Sequence, residues 1–375
     1  MKLSPETWFA ALRAPLPGRV LRSAFEDAQV AAVLEARNSA ALRRLGVSEA
    51  AIRAFVEGDP ERQAADLEWL RQPGNRLLSI ADPDYPELLR ESPGAPLVLC
   101  VSGDAGLLLR AQIAIVGSRN PSAGGRDTAA AFSRAFASAG LLVTSGLADG
   151  IDAVAHGAAL DADQPTVAVV GTGTDVVYPA RNRALAARIR ERGCIVSEFA
   201  PGTPARADHF PRRNRIIAGL SLGTLVVEAA QRSGALITAR NASEAGREVF
   251  AIPGSIHNPM ARGCHRLIRE GAALIETADE VVQALMPAAR RLAASLLSEL
   301  EAAAVSPKLS PVALPSTADP ERARVLVALG HDPLGIDQLA ERTGLTVGGL
   351  SSMLLLLELE GEVSEQHGRY ARRPS

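Results

Sequence analysis

Residues 113–116 read Ile-Ala-Ile-Val and run directly into Gly117-Ser118-Arg119-Asn120-Pro121-Ser122-Ala123-Gly124-Gly125. A short unbroken apolar run that stops at a glycine fits a strand buried on both faces, followed by a tight turn into a helix. The same pattern recurs at 141–143 (LLV), 166–170 (TVAVV), 194–196 (CIV), 224–227 (TLVV) and 248–252 (EVFAI), with Ala-, Arg- and Leu-rich segments of helical length between the runs. Such alternation implies the α/β class, with a parallel sheet and right-handed crossovers. A Rossmann-like doubly wound domain is therefore expected over about 73–286, and residues 77–80 and 97–101 are expected to add strands ahead of its main unit.

Outward from that core the pattern changes on both sides. Residues 1–72 carry Leu-Ala-Arg periodicity interrupted at Pro15–Gly18, Gly46 and Gly58–Pro60. They read as a small domain of short helices into which two helix–turn–helix units fit. Residues 287–319 are Ala-rich, then Pro/Ser-rich, and read as a linker. Residues 320–375 show helical patterns at about 320–329, 335–342 and 346–360, then a hairpin turning at His367-Gly368. Three helices and a hairpin match a winged-helix domain.

Composition narrows the function classes. The 375 residues are 47% apolar and 22% charged, which suits a soluble chain large enough for two or three domains. No apolar run has the length of a membrane span, and the opening MKLSPETWFAALRAPLPG lacks the apolar core of a signal peptide, so a cytoplasmic protein with no membrane partner is expected. Cys100, Cys194 and Cys264 are far apart without paired spacing, so buried reduced thiols are expected, with no metal site. With a net charge of −2, attraction to an anion has to be local. The cations are almost all arginine, since only Lys2 and Lys308 are lysines. Arginine presents a fixed fork of donors suited to phosphate.

Ligands of open parallel sheets bind beyond the carboxyl ends of the strands, so the loops there are where chemistry is expected. In the first, Gly117 allows close backbone approach, Ser118 and Ser122 offer hydroxyls, and Arg119 offers a guanidinium at a helix start. It is neither a GxGxxG fingerprint nor a P-loop. The second, 144–152, brings Gly146 to a helix start; Asp149 and Asp152 read as capping groups rather than general bases, and His156 as structural. The third, 171–182, carries Tyr178-Pro179-Ala180-Arg181-Asn182. The fourth, His209-Phe210-Pro211-Arg212-Arg213-Asn214-Arg215, sets three arginines beside a ring, the combination a single-strand binder needs. Arg212 and Arg215 share a helical face, while Arg213 is expected to find an acidic neighbour. In the fifth, Ser233 and Gly234 with the following N–H groups form an anion-friendly nest. Arg119 and the 212–215 arginines are expected to line one groove.

Taken together, AIVGSRNPSAGG (114–125), TSGLADGIDAVAHGAAL (144–160), VAVVGTGTDVVYPARN (167–182), SEFAPGTPARADHFPRRNRIIAGLS (197–221), VVEAAQRSGALITARNASEAGREVFAIPG (226–254) and GCHRLIREGAALI (263–275) resemble the DNA-processing family DprA, also called Smf. The resemblance covers the whole Rossmann-like core in order. It implies a SAM-like helical domain before that core and a winged helix after it. It also implies a single-stranded DNA-binding protein of natural transformation and recombination that protects incoming strands, helps load the RecA recombinase and dimerises through the Rossmann-like domain. No catalysis and no cofactor are implied. Carried onto this chain, the family's DNA contacts fall at Gly117, Ser118, Arg119, Phe210, Arg212, Arg213, Asn214 and Arg215. Ser122, Gly146, Arg181, Asn182, Ser233 and Gly234 complete the expected interface. Where the family often has lysines around this groove, Ala180 and Arg181 follow Pro179 here.

An enzyme is the alternative. Leu222-Gly223-Thr224 through Glu228 partly echoes the loop of nucleotide-processing phosphoribohydrolases, but Ser221-Leu222 stand where that loop needs two glycines. A transcription factor is a weaker third reading, because 346–359 (TVGGLSSMLLLLEL) contains no Lys or Arg to read a major groove.

Overall fold

A computed structural model describes residues 3–305, 334–345, 363–366 and 369–372, with isolated positions between 325 and 357. Six short helices come first: α1 (Pro5–Arg13), α2 (Gly18–Glu26), α3 (Ala28–Glu35), α4 (Ser39–Arg44), α5 (Glu49–Val56) and α6 (Pro60–Arg71). Polar caps start five of them, with the side chains of Ser4, Asp27, Asn38, Ser48 and Asp59 each accepting from a backbone N–H two or three residues on. Trp8, Val20, Leu34, Leu42, Ile52 and Phe55 form their shared core, which also takes in Val98 from the sheet. Arg13 grips buried Asp66 through two bonds of 2.6 and 2.7 Å and donates a third, 2.8 Å, to the Pro201 carbonyl.

The sheet has nine strands: β1 (Asn75–Ser79), β2 (Val98–Gly103), β3 (Gln112–Val116), β4 (Leu142–Ser145), β5 (Thr166–Val169), β6 (Cys194–Ser197), β7 (Gly223–Val226), β8 (Glu248–Ala251) and β9 (Ala273–Leu274). Their order is β1-β2-β6-β5-β4-β3-β7-β8-β9. Strands β3 to β9 pair in parallel, whereas β1 and β2 add antiparallel strands beside β6. Both faces are covered, as unbroken apolar strands require: Ile113 and Ile115 pack with Phe132, Phe136 and Phe250, while Ala114 and Val116 pack with Ile216, Ile217 and Leu220. The order reverses between β3 and β7, so the chain leaves these neighbours in opposite directions and opens a crevice at their carboxyl ends.

Helices α7 (Glu87–Arg90), α8 (Ala123–Ser138), α9 (Ile151–Asp161), α10 (Arg183–Arg192), α11 (His209–Leu220), α12 (Ala235–Glu244) and α13 (Arg262–Arg269) connect the strands. The next, α14 (Ala278–Val305), continues through Pro287, so the stretch read as linker from 287 begins as helix. Leu292, beyond that proline, is buried in the sheet's core with Val281 and Leu285. Residues 306–319 of that stretch lie outside the described residues. Among the described residues no helix is long and apolar enough to cross a membrane. The three cysteines are buried and unpaired.

The second compact unit comprises β10 (Leu334–Gly335), α15 (Ile336–Thr343), β11 (Val363–Gln366) and β12 (Arg369–Arg372), with the strands ordered β10-β12-β11. This fits the helix and hairpin expected near 335–342 and 362–373. The helices read at 320–329 and 346–360, and the turn at His367-Gly368, lie mostly or wholly outside the described residues. Leu350, Leu354 and Leu357 are nonetheless buried with Val325, Leu339 and Val363. Those leucines are spent on packing.

Candidate nucleic-acid interface

The five loops do meet at the carboxyl edge of the sheet, but they do not form one groove. A cavity of about 790 Å³ opens at the β3/β7 crevice, lined by Ser118, Arg119, Tyr178, Phe210, Ser233 and Gly234 among others. Exposed Arg119 stands with its guanidinium 5.6 Å from the centre of the Phe210 ring, and Phe210 lies 5.5 Å from the Tyr178 ring at 35°. Tyr178 is 49% exposed, a large ring left in solvent. At the far side Gly234 leads into α12 with nothing within 4 Å of where a Cβ would be. The Ser233 hydroxyl accepts from the Ala235 N–H at 3.3 Å. Guanidinium, two rings and an open helix start converge here.

Most of the expected contacts are used internally. At the start of α8, Ser122 donates to Glu228 from both its backbone N–H (2.9 Å) and its hydroxyl (2.6 Å). The Ser122 hydroxyl in turn accepts from Gly125 N–H at 3.0 Å. The helix start read as a phosphate seat therefore already holds an anion, supplied by the protein's own carboxylate. A Cβ on Gly125 would lie 2.5 Å from the Glu228 carboxyl carbon, so the second glycine of the pair makes room for that carboxylate. Packing holds position 117 to glycine, since a Cβ there would meet Ile151 at 2.6 Å, and its backbone lies at the cavity's edge. Ser118 is buried, with its hydroxyl accepting from Asn120 N–H at 3.1 Å.

Helix α11 begins at His209, which fixes where its arginines point. Phe210, Arg213, Asn214 and Ile217 line the cavity side, at the spacing of one helical face. Arg213 on that face is buried, its guanidinium donating to the carbonyls of Gly146 (2.5 Å) and Val169, which ties the ends of β4 and β5 together. Burial pushes the Arg213 pKa down to about 10, and nearby Asp152 opposes that shift. Asp152 accepts from Gly146 N–H at 3.1 Å, and burial raises its pKa against the pull of Arg213. Gly146 is enclosed by both, with no space for a side chain. Asn214 is buried and donates to the Gly234 carbonyl at 3.2 Å.

Arg212 and Arg215 share a face, as expected, but it is the other one. Both donate to one Oε2 of buried Glu198, at 2.9 and 2.5 Å, and line a different cleft from Arg119. The single groove is thereby corrected to two: the helix start sets Arg119 and Phe210 on one side of α11 and Arg212 and Arg215 on the other. Arg181 lines neither cavity and pairs with Asp149 at 2.5 Å, while buried Asn182 donates to the Leu147 carbonyl at 3.0 Å. His156 is buried against the Thr166 hydroxyl at 2.8 Å, and burial lowers its pKa to about 3. The expected site omitted Tyr178. Its place after the β5 run was visible in sequence, but its approach to Phe210 was not.

Two family models match the chain: DNA recombination-mediator protein A over residues 76–286, and the DprA winged helix domain over 309–369. Protein Smf of Escherichia coli K12 is 40% identical over 332 residues, covering 88% of this chain and 86% of that protein. DNA processing protein DprA of Streptococcus pneumoniae is 46% identical over 204 residues, 54% of this chain and 72% of that one. The X-ray structure of Streptococcus pneumoniae DprA is similar at TM-score 0.67 and 35% identity, covering 76% of this chain and 98% of its own. DNA processing protein A from Helicobacter pylori, whose structure concerns its single-stranded DNA binding mode, is similar at TM-score 0.51 and 25% identity over 56% of this chain and 96% of its own.

Proposed function

The chain belongs to the DNA recombination-mediator protein A family, DprA/Smf, and from that premise we propose that it binds single-stranded DNA at the β3/β7 crevice. The observation that carries this reading is Arg119 standing over the Phe210–Tyr178 ring pair at the mouth of the cavity. Rings stack on bases whatever the sequence, and a guanidinium beside them takes the phosphate. The Helicobacter pylori relative with a single-stranded DNA binding mode supports the choice of ligand. The protein acts in the cytoplasm in natural transformation and recombination. It protects incoming strands, helps load RecA, and works as a homodimer through the Rossmann-like domain.

It binds strands and turns over no substrate. What favours this over the phosphoribohydrolase alternative is the position of Glu228, the one carboxylate of the echoed loop, whose two oxygens are held by Ser122.

Fluorescence anisotropy with a labelled single strand and the matching duplex, at two salt concentrations, tests the proposal. Single strand should bind more tightly, and affinity should fall by ~0.7 log units per log unit of salt for each phosphate neutralised. Equal affinity for duplex, or no salt dependence, overturns it. The recombinase role is read separately, as faster assembly of RecA filaments on the bound strand. An unchanged assembly rate removes that part.

A further inference from the structure

The cleft on the other side of α11 is the larger of the two, about 1320 Å³, and runs between the N-terminal helices and the sheet domain. Seven arginines and four carboxylates line it. Some of that charge is already paired: Arg13 with Asp66 beneath it, Arg62 with Asp59, and Arg206 with Asp208. The remainder is an excess of cations. Glu198, buried in the cleft floor, offers one negative charge to two guanidiniums, those of Arg212 and Arg215. Exposed Arg22 and Arg53 form no ion pair with a carboxylate among the described residues. Burial lowers the pKa of Arg215, and the paired Glu198 opposes that shift.

Arg206 lines both clefts, so their linings meet across the exposed segment that precedes α11. We propose that this second cleft takes the phosphodiester backbone of the strand bound at the Arg119–Phe210 cavity, crossing at Arg206 to reach Arg22, Arg53 and Arg212. The N-terminal helical domain thereby becomes part of the DNA-binding surface. The inference rests on the single-strand reading above and adds the path of the strand.

The chemistry of the cleft fits phosphate rather than base. Its aromatic faces are already occupied, with buried Trp8 stacked on Phe25 at 5.9 Å, Phe199 stacked on His209 at 3.9 Å and Arg212 over the Phe199 ring at 5.4 Å. No ring there is left to stack on a nucleobase as Tyr178 is in the first cavity. The first cavity holds bases, and the second neutralises the continuing backbone. Contacts of the second kind show in the salt dependence and only on strands long enough to reach them.

The test compares the double variant Arg22→Ala/Arg53→Ala with Arg119→Ala and the wild type on two oligo(dT) lengths. A strand of ~6 nucleotides fills one cavity, and one of ~20 nucleotides can span both. Arg22 and Arg53 are exposed, so their removal should leave the fold intact, as thermal melting will show. On the long strand the double variant should bind about fivefold to tenfold more weakly, with its salt slope flattened by ~1.4 for two lost phosphate contacts. On the short strand it should match the wild type. Wild-type affinity and slope on the long strand would overturn the path. If the double variant weakens while Arg119→Ala does not, the second cleft stands and the first cavity falls. If the wild type binds neither length, both readings fall.

Discussion

Helices α8 and α12 start in the same way on paper, each after a buried strand, each at a Ser-Gly or Ser-Ala-Gly turn on the same sheet edge. In the folded chain they differ completely. The start of α8 is closed by Glu228, bonded to Ser122 and accommodated by Gly125. The start of α12 is open, with Gly234 exposed beside the cavity. A helix N-terminus attracts an anion in both cases, and what differs is whether the chain provides its own. The division extends along the edge: Gly146, Asp152, Arg213 and Asn214 belong to the closed part, and Arg119, Tyr178, Phe210, Ser233 and Gly234 to the open part. On the proposed function, closed groups set stability and open ones set affinity.

The sharpest way to break this division is Arg213→Ala. Removing a buried cation that holds two strand-end carbonyls and offsets Asp152 should cost about 3–5 kcal/mol in urea unfolding. A variant that stays stable and instead loses DNA affinity would move Arg213 to the open part. Gly125→Ala should cost about 2–4 kcal/mol, since the new methyl displaces Glu228 and leaves its buried bonds unmade. The counterpart Gly234→Ala enters free space and should change stability by less than about 0.5 kcal/mol. If the two alanines behave alike, the contrast between the helix starts is false.

The closed part also predicts a pH dependence. His156 is neutral in the fold, with a pKa near 3 against an ordinary 6.5, so the unfolded chain binds the extra proton. Its contribution is complete above pH 6.5 and is lost as pH falls from there toward 3, amounting to about 2 kcal/mol by pH 5. Raised Asp152 works in the opposite direction at acid pH. Unfolding at pH 7 and pH 5 should show that loss in the wild type and a flatter profile in His156→Gln; parallel profiles would remove His156 as the cause. Arg181→Ala breaks an exposed pair with Asp149 and should cost under about 1 kcal/mol. A larger loss would place Arg181 with the closed groups.

The strands were legible because double burial leaves a mark in consecutive residues: the IAIV run is β3 less its first residue, and TVAVV is β5 plus one. That Arg212 and Arg215 share a face was legible from helical spacing. Which way that face turns was not, since it depends on the first residue of α11 and on a Glu198 placed before the helix. Glu228 could not be linked to Ser122 from sequence, because their contact crosses more than a hundred residues and two neighbouring strands. The linker misread has a different cause. Ala-rich composition after Pro287 describes a helix as well as a spacer, and only the burial of Leu292 distinguishes them.

The guanidinium of Arg213 has one more effect, on the entropy of recognition. By gripping the ends of β4 and β5 it fixes its own place, and that of α11, in the cavity wall before any ligand arrives. In the proposed complex a receptor so fixed would lose little freedom on association, leaving the ordering penalty mainly to the flexible strand.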